Sequence, residues 1–325
     1  MSAMVTAAPQ RVSSRFDRTA SAADVVKGLN LRGKTVLVTG GGSGIGHATA
    51  CALAGAGANV VVADVNAAQS AAAIAAFLAA APAARMRYLP LDLGSLASVR
   101  AFAEGFLTDT PQLDVLVNNA GIMASPMGRT VDGHELQLGI NFLGHYLLTR
   151  LLEPALTHTP GARVVCVASI GHRRSDIQWD DMDYHHRPYD RWEAYGQSKT
   201  ACALLAVAID TLWGARGVHA NTLNPGGSPT GLHQYLSDEE RQRQGWLDAA
   251  GKIPDRWRLP EQCAATSAWL ASAPELAGIG GKYFEECQEA LPWHADEPMA
   301  GVKPYALSFE SALRLWQVAG EMVGL

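Results

Sequence analysis

Thr35-Val36-Leu37-Val38-Thr39-Gly40-Gly41-Gly42-Ser43-Gly44-Ile45-Gly46 is the stretch that decides the fold. Its first five residues are apolar or β-branched, the composition of a strand buried on both faces. A cluster of glycines follows, and residues 44–57 then read as a helix. Glycines in a strand-to-helix turn reach left-handed backbone angles and let a ligand approach the main chain closely. The helix beginning there points unpaired N–H groups and its positive dipole end at an anion. A dinucleotide pyrophosphate suits such a turn, which makes Gly40, Ser43, Gly44, Ile45 and Gly46 candidate cofactor contacts.

The same rhythm extends outward. Short apolar runs, several of them rich in valine, at Asn59–Asp64, 85–92, 114–118, 163–169 and 218–223 read as five more strands. Helical patterns separate them at Ala67–Ala80, 96–106, 131–156 and 193–213. Apolar strands alternating with helices imply a parallel sheet covered on both sides, and right-handed crossovers make it doubly wound. The expected class is therefore α/β, one domain over residues 1–325, with a polar arm over residues 1–30. Two stretches break the rhythm, residues 171–192 and 226–258, each following a strand's carboxyl end, where ligands bind in such sheets. The second is expected to be a substrate lid. A tail over residues 288–325 ends in an amphipathic run around residues 312–323 and can pack on its own domain or on a partner.

Composition narrows the classes. The 325 residues carry a net charge of -5, so no basic face for nucleic acid is expected. The longest bland stretch, residues 67–84, is mostly alanine and interrupted by Pro82, unlike a membrane span. Five scattered cysteines show neither a disulfide framework nor metal-ligand spacing, which fits a reducing, cytoplasmic setting and no metal. The arginines and serines of the first 22 residues resemble an organelle transit peptide, but a polar lead into the first strand explains them equally well.

The second strand ends in Asp64, 24 residues after Gly40. A carboxylate there accepts hydrogen bonds from a ribose 2′-OH and repels a 2′-phosphate. Its neighbours Val65 and Asn66 are not cationic, so NAD is expected over NADP.

Further motifs follow in order. Asn118-Asn119-Ala120-Gly121 closes the fourth strand, Asn141 lies within Gly139-Ile140-Asn141-Phe142-Leu143-Gly144-His145, and Ser169 ends the fifth strand. Tyr195-Gly196-Gln197-Ser198-Lys199 lies on a helix, and Asn224-Pro225-Gly226 is followed by Thr230. With the glycine turn, these make the chain resemble the short-chain dehydrogenase/reductase family, over about residues 34–284. The phrases around Asn141 and His145, Ala168-Ser169-Ile170-Gly171-His172, Gly281-Lys282-Tyr283-Phe284, and the gap of 26 residues from Ser169 to Tyr195 resemble its retinol dehydrogenase and WW-domain oxidoreductase branch. Much of that branch has a basic residue near the second strand's end and uses NADP; Val65 departs from it, and so does Ser228, where the family usually has Val or Ile.

The resemblance implies a Rossmann-type domain and a catalytic set of Asn141, Ser169, Tyr195 and Lys199. Tyr195 would exchange the proton, Ser169 would hold the substrate oxygen, and Asn141 would hold a water linking Lys199 to solvent. Asp92 and Leu93 would meet the adenine, Asn119, Ala120 and Gly121 the adenosine ribose, Tyr195 and Lys199 the nicotinamide ribose, and Pro225, Gly226 and Thr230 the nicotinamide amide. Homodimers or homotetramers are frequent in the family. Chemistry supports the pairing independently. Residues four apart share a helix face, and an ammonium beside a phenol, whose ordinary pKa is about 10, favours the phenolate. The expected activity is alcohol–carbonyl interconversion, oxidation being the favoured direction with NAD. Trp179, Trp192, Trp246 and Trp257 in the irregular stretches point to a bulky apolar substrate. A nucleotide-sensing regulator that kept the fold without the chemistry is the alternative. Ser169 with His172 lacks the GxSxG elbow of a hydrolase, and Asn118 reads as structural.

Overall fold

Alternation along each strand sets the layers. In Thr35–Thr39 (β1), Leu37 points to one face of the sheet, packed with Phe106, Tyr146 and Leu204, while Val36 and Val38 point to the other, packed with Leu53, Trp269 and Phe284. Both faces are buried, as the unbroken apolar run requires. The computed structural model describes residues 11–254 and 257–325.

The remaining strands are Asn59–Asp64 (β2), Arg85–Pro90 (β3), Val115–Asn118 (β4), Arg163–Val167 (β5), His219–Asn224 (β6), Tyr283–Glu285 (β7) and Gln288–Glu289 (β8). They form one sheet in the order β3-β2-β1-β4-β5-β6-β7-β8, parallel except for the final β7–β8 pair. Val36 pairs with Val60 on one side and Val115 on the other. The chain therefore winds outward from β1 in one direction and from β4 in the other, and the crevice lies above their carboxyl ends. This is the doubly wound α/β sheet expected; β7 and β8, three and two residues long, were too short for a periodic signal.

The pattern over residues 131–156 does not form one helix. Val131 is 81% exposed, and helix begins only at Leu136–Leu138, capped by Glu135, whose carboxylate accepts the N–H groups of Gln137 and Leu138. A π-turn, Gly139–Leu143, follows, then Gly144–Leu151, and Pro154 starts a separate helix, Glu153–Thr157. Proline lacks the N–H that would continue the preceding helix but suits a first turn. The helix carrying Tyr195 and Lys199 runs Arg191–Trp213, two residues earlier than read, because the Asp190 side chain caps the N–H groups of Trp192 and Glu193.

The arm and tail are tied down. Ser13 bridges Gln288 at the sheet edge, and a short helix, Ala22–Val26, buries three residues in the core. The last helix, Phe309–Met322, packs on Arg191–Trp213: Trp316 meets Trp213 and Tyr146 edge-on, with ring centres 5.4 and 5.2 Å apart. Among the described residues no helix is long and apolar enough to cross a membrane.

Candidate active site

The glycine turn adopts the backbone its residues permit. Gly40 and Gly44 have φ of +64° and +53°, the left-handed region that favours glycine. Helix Gly44–Gly55 begins immediately after, with Ser43 as its extended first cap. Asp64 at the end of β2 reaches into the turn: Oδ2 accepts Gly42 N–H at 3.0 Å, and Oδ1 accepts Asn66 N–H at 3.0 Å. A Cβ at Gly44 would lie 3.2 Å from Thr230 Cγ2, so the segment after β6 closes over the turn.

Thr39 joins this turn to the end of β4. Its hydroxyl oxygen accepts the N–H groups of Asn119 (2.9 Å) and Ala120 (3.1 Å), and the Asn119 amide donates to Thr39 O at 2.9 Å. A Cβ at Gly121 would fall 3.5 Å from Lys199 Nζ, so this glycine keeps the space beside the ammonium open. Asn118 is buried and donates to Thr149 Oγ1 at 3.0 Å, tying the end of β4 to the helix Gly144–Leu151. Asp92 Oδ1 accepts Gly94 N–H at 2.8 Å in the loop after β3, beside buried Leu93.

The four motif residues converge. Lys199 Nζ lies 5.8 Å from the Tyr195 ring centre and donates to Val167 O at the end of β5 at 3.0 Å. Ser169 Oγ accepts Gly171 N–H at 3.0 Å, which leaves its own proton free to be donated. Gly171 separates Ser169 from Tyr195: a Cβ there would stand 3.4 Å from Ser169 Oγ and 2.6 Å from Tyr195 Cε1. The Asn141 side chain is fully engaged, its oxygen accepting Ile122 N–H (2.8 Å) and its nitrogen donating to Ile122 O (3.0 Å) and Ser198 Oγ (2.9 Å). The Asn141 main-chain carbonyl, within the π-turn, meets side-chain donors of its own, His145 Nδ1 at 2.8 Å and Cys202 Sγ at 3.2 Å.

His172 is buried three residues past Ser169, but its Nδ1 bonds the Ser169 main-chain carbonyl (2.7 Å), not the hydroxyl. Its Nε2 accepts Lys303 N–H from the tail at 3.1 Å, and burial brings its pKa down to about 4. It is a neutral brace, and a serine–histidine nucleophile is absent from this site.

Around the phenol the walls are apolar. Met123, Ala124 and Leu236 are buried against Tyr195, with Trp192, Leu232 and Trp246 packed on them. Trp246 also meets Trp257 and His233 at ring-centre distances of 5.6 and 5.0 Å. Thr230, His233, Arg241, Trp246 and Trp257 line a cavity of about 320 Å³. A larger one, about 590 Å³, opens at the opposite end of the sheet beside Asn59, Arg85 and Asp109 and touches none of the motif residues. The first belongs to the site because it shares Thr230 with the turn; the second is a surface cleft. Among the described residues no group of three His, Cys, Asp or Glu side chains could hold a metal.

The family model for short chain dehydrogenase matches residues 34–241. The chain belongs to the short-chain dehydrogenase family. Mouse retinol dehydrogenase 13 is 35% identical over 90% of this chain and 84% of its own length, which places the chain on that branch of oxidoreductases. A solved Mycobacterium paratuberculosis protein of uncharacterised function superposes with a TM-score of 0.71 at 30% identity, over 94% of this chain and 98% of its own. The Pseudomonas aeruginosa RhlG complex with NADP gives a TM-score of 0.62 at 25% identity, over 78% and 95%. Members of this family bind nicotinamide dinucleotides, and the glycine turn with its left-handed Gly40 and Gly44 and the side-chain-free position at Gly121 fit such a guest.

Sequence reasoning missed Gly171, Ile122 and Val167, whose backbone groups seat the motif side chains. Only Gly171 left a signal, as a glycine two residues past the motif serine.

Proposed function

We propose that the chain interconverts an alcohol with its ketone or aldehyde, using NAD in preference to NADP, with Tyr195 as general acid–base. The observation that carries this reading is the meeting of the Tyr195 ring and the Ser169 hydroxyl across Gly171, with the Lys199 ammonium 5.8 Å from the ring centre. The nicotinamide, when bound, supplies or accepts the hydride. Ser169 donates its free proton to the substrate oxygen and fixes it. Tyr195 takes the alcohol proton on oxidation and returns it on reduction, while Lys199 stabilises the negative oxygen at the intermediate stage. Gly40, Ser43, Gly44, Ile45 and Gly46 would hold the pyrophosphate, Asp64 the adenosine ribose, and Asp92 with Leu93 the adenine. Asn119, Ala120 and Gly121 would flank the dinucleotide, Lys199 the second ribose, and Pro225, Gly226 and Thr230 the nicotinamide amide. Asp64 favours NAD because its carboxylate sits on the turn with no cation beside it at Val65 or Asn66.

The walls of Met123, Leu236, Trp192 and Trp246 fit a bulky apolar substrate, with residues 226–258 as its lid. Retinol, the alcohol in the name of the mouse relative, is of that class. A homodimer or homotetramer would need surface outside the part of Arg191–Trp213 that the last helix covers. The five unpaired cysteines suit a cytoplasmic setting.

The test is a panel of apolar alcohols and aldehydes followed by NADH absorbance, with wild type beside Tyr195→Phe. Loss of about 10²- to 10⁴-fold in kcat, with the thermal shift by NAD retained, is expected. Undiminished turnover by the variant overturns the mechanism.

A further inference from the structure

His145 is a fully buried imidazole that the mechanism above leaves without a task. It stands four residues after Asn141, beyond the π-turn, and its Nδ1 lies 2.8 Å from the Asn141 main-chain oxygen. A carbonyl can only accept, so Nδ1 carries the proton. Nε2 is then the acceptor, and it faces Thr39 Oγ1 at 2.7 Å. The Thr39 hydroxyl therefore donates to His145 while its oxygen accepts Asn119 and Ala120 N–H. One ordered chain of hydrogen bonds thus runs from the end of β4, through Thr39 before the glycine turn and the His145 ring, to the backbone of Asn141.

Two features make this ring more than filler. Burial first, and then the Lys199 charge, bring its pKa down to about 4, so the ring is neutral and its donor–acceptor order is fixed. The Asn141 carbonyl has one other side-chain donor, the Cys202 thiol at 3.2 Å, which is weak. Without the imidazole, the thiol would be the remaining side-chain donor to that carbonyl, and the Thr39 hydroxyl proton would keep only Val117 O, at 3.4 Å, as its acceptor. Asn141 in turn holds Ser198, the neighbour of Lys199.

We propose that His145 is a positioning residue that couples the dinucleotide turn to the catalytic helices by holding Thr39 Oγ1 with one ring nitrogen and the Asn141 carbonyl with the other. The proposal rests on the functional reading above. Replacing the ring by His145→Phe keeps its bulk and removes both bonds; His145→Gln can donate and accept again.

For His145→Phe we expect kcat down about tenfold, the size of one or two lost hydrogen bonds. The KM for NAD should rise severalfold, and the acidic limb of the kcat–pH profile should move. His145→Gln should recover most of the loss. Folded His145→Phe with kcat, cofactor KM and pH profile unchanged, whatever its Tm, overturns the proposal. If His145→Phe does not fold, Thr39→Val breaks the same chain at its other end and is read the same way. Stabilisation by NAD in a thermal shift needs no turnover. If wild type oxidises no alcohol, the functional reading fails, and a reduced NAD shift in the variant still supports the coupling, while an equal shift refutes it.

Discussion

Gly171 lies so close to the Tyr195 ring that a Cβ at position 171 would come within 2.6 Å of Cε1 and 2.9 Å of Cδ1. The ring is itself pinned by Met123, Ala124 and Leu236, so it cannot retreat without disturbing the wall of the site. Gly171→Ala should therefore displace the phenol and lower kcat by about 10²-fold, the scale of a 1 Å misplacement of a reacting group. NAD affinity should change much less than kcat in calorimetry, because most of the proposed contacts to the dinucleotide, from the glycine turn to Asn119, lie away from Gly171. Wild-type turnover by the alanine variant would show that the ring has room to move.

Asp64 holds the glycine turn through Gly42 N–H, and the proposed reading sets the same carboxylate against the adenosine ribose. Asp64→Ala combined with Val65→Arg removes the repulsive carboxylate and adds a cation. The ratio of kcat/KM for NAD to that for NADP should shift at least about tenfold toward NADP, or roughly 1.4 kcal/mol. A wild-type enzyme already faster with NADP would contradict the role assigned to Asp64.

His134 clamps three segments. Its Nδ1 lies 3.0 Å from Asp183 Oδ2 and its Nε2 3.2 Å from Met322 O, so both nitrogens face acceptors and the ring is best served as an imidazolium. Its pKa is raised, chiefly by the Asp183 hydrogen bond. Burial pulls Asp183 upward, yet the hydrogen bonds from His134 and Glu135 N–H leave its pKa below the ordinary carboxylate value. A raised histidine stabilises the fold below its unfolded pKa of about 6.5 and loses that contribution as pH rises through the folded value. A lowered aspartate stabilises above about 3.9 and loses its share as pH falls. Scanning calorimetry should find His134→Ala about 2–4 °C less stable near pH 6. The gap should narrow by pH 9; a gap that is flat from pH 5 to 9 would mean the clamp is neutral throughout.

Trp316 fastens the tail. Besides its edge contacts with Tyr146 and Trp213, its carbonyl accepts the Tyr146 hydroxyl at 2.7 Å, and the Arg150 guanidinium lies 4.9 Å from its ring centre. Trp316→Ala should cost about 2–3 kcal/mol in urea unfolding, below the range for a fully buried tryptophan because this one is half-buried. Light scattering should show whether the opened face then recruits a second copy; a stability change under 0.5 kcal/mol, well inside surface-mutant scatter, would mean the helix is merely resting there.

The sheet, the glycine turn and the motif residues were legible because each depends on local composition. Val36, Leu37 and Val38 announce a doubly buried strand wherever they occur. The break in residues 131–156 was not legible, since Leu138, Ile140, Phe142 and Leu143 keep an apolar rhythm that a π-turn shifts by one residue without erasing. Nor could periodicity show that the Asn141 side chain is consumed by Ile122 and Ser198, or that Lys303 braces His172, because these bonds join segments far apart in the chain.

The arm has a consequence for how the molecule assembles. Val12 N–H donates to Glu289 Oε2, and Gln288 Nε2 donates to Ser14 O and Phe16 O, across 272 to 277 residues of intervening chain. On a ribosome the partners of Val12, Ser14 and Phe16 are absent until Gln288 and Glu289 have emerged. Pairings this distant in sequence carry the largest cost of loop closure, so the seam raises the contact order of the fold and slows its assembly.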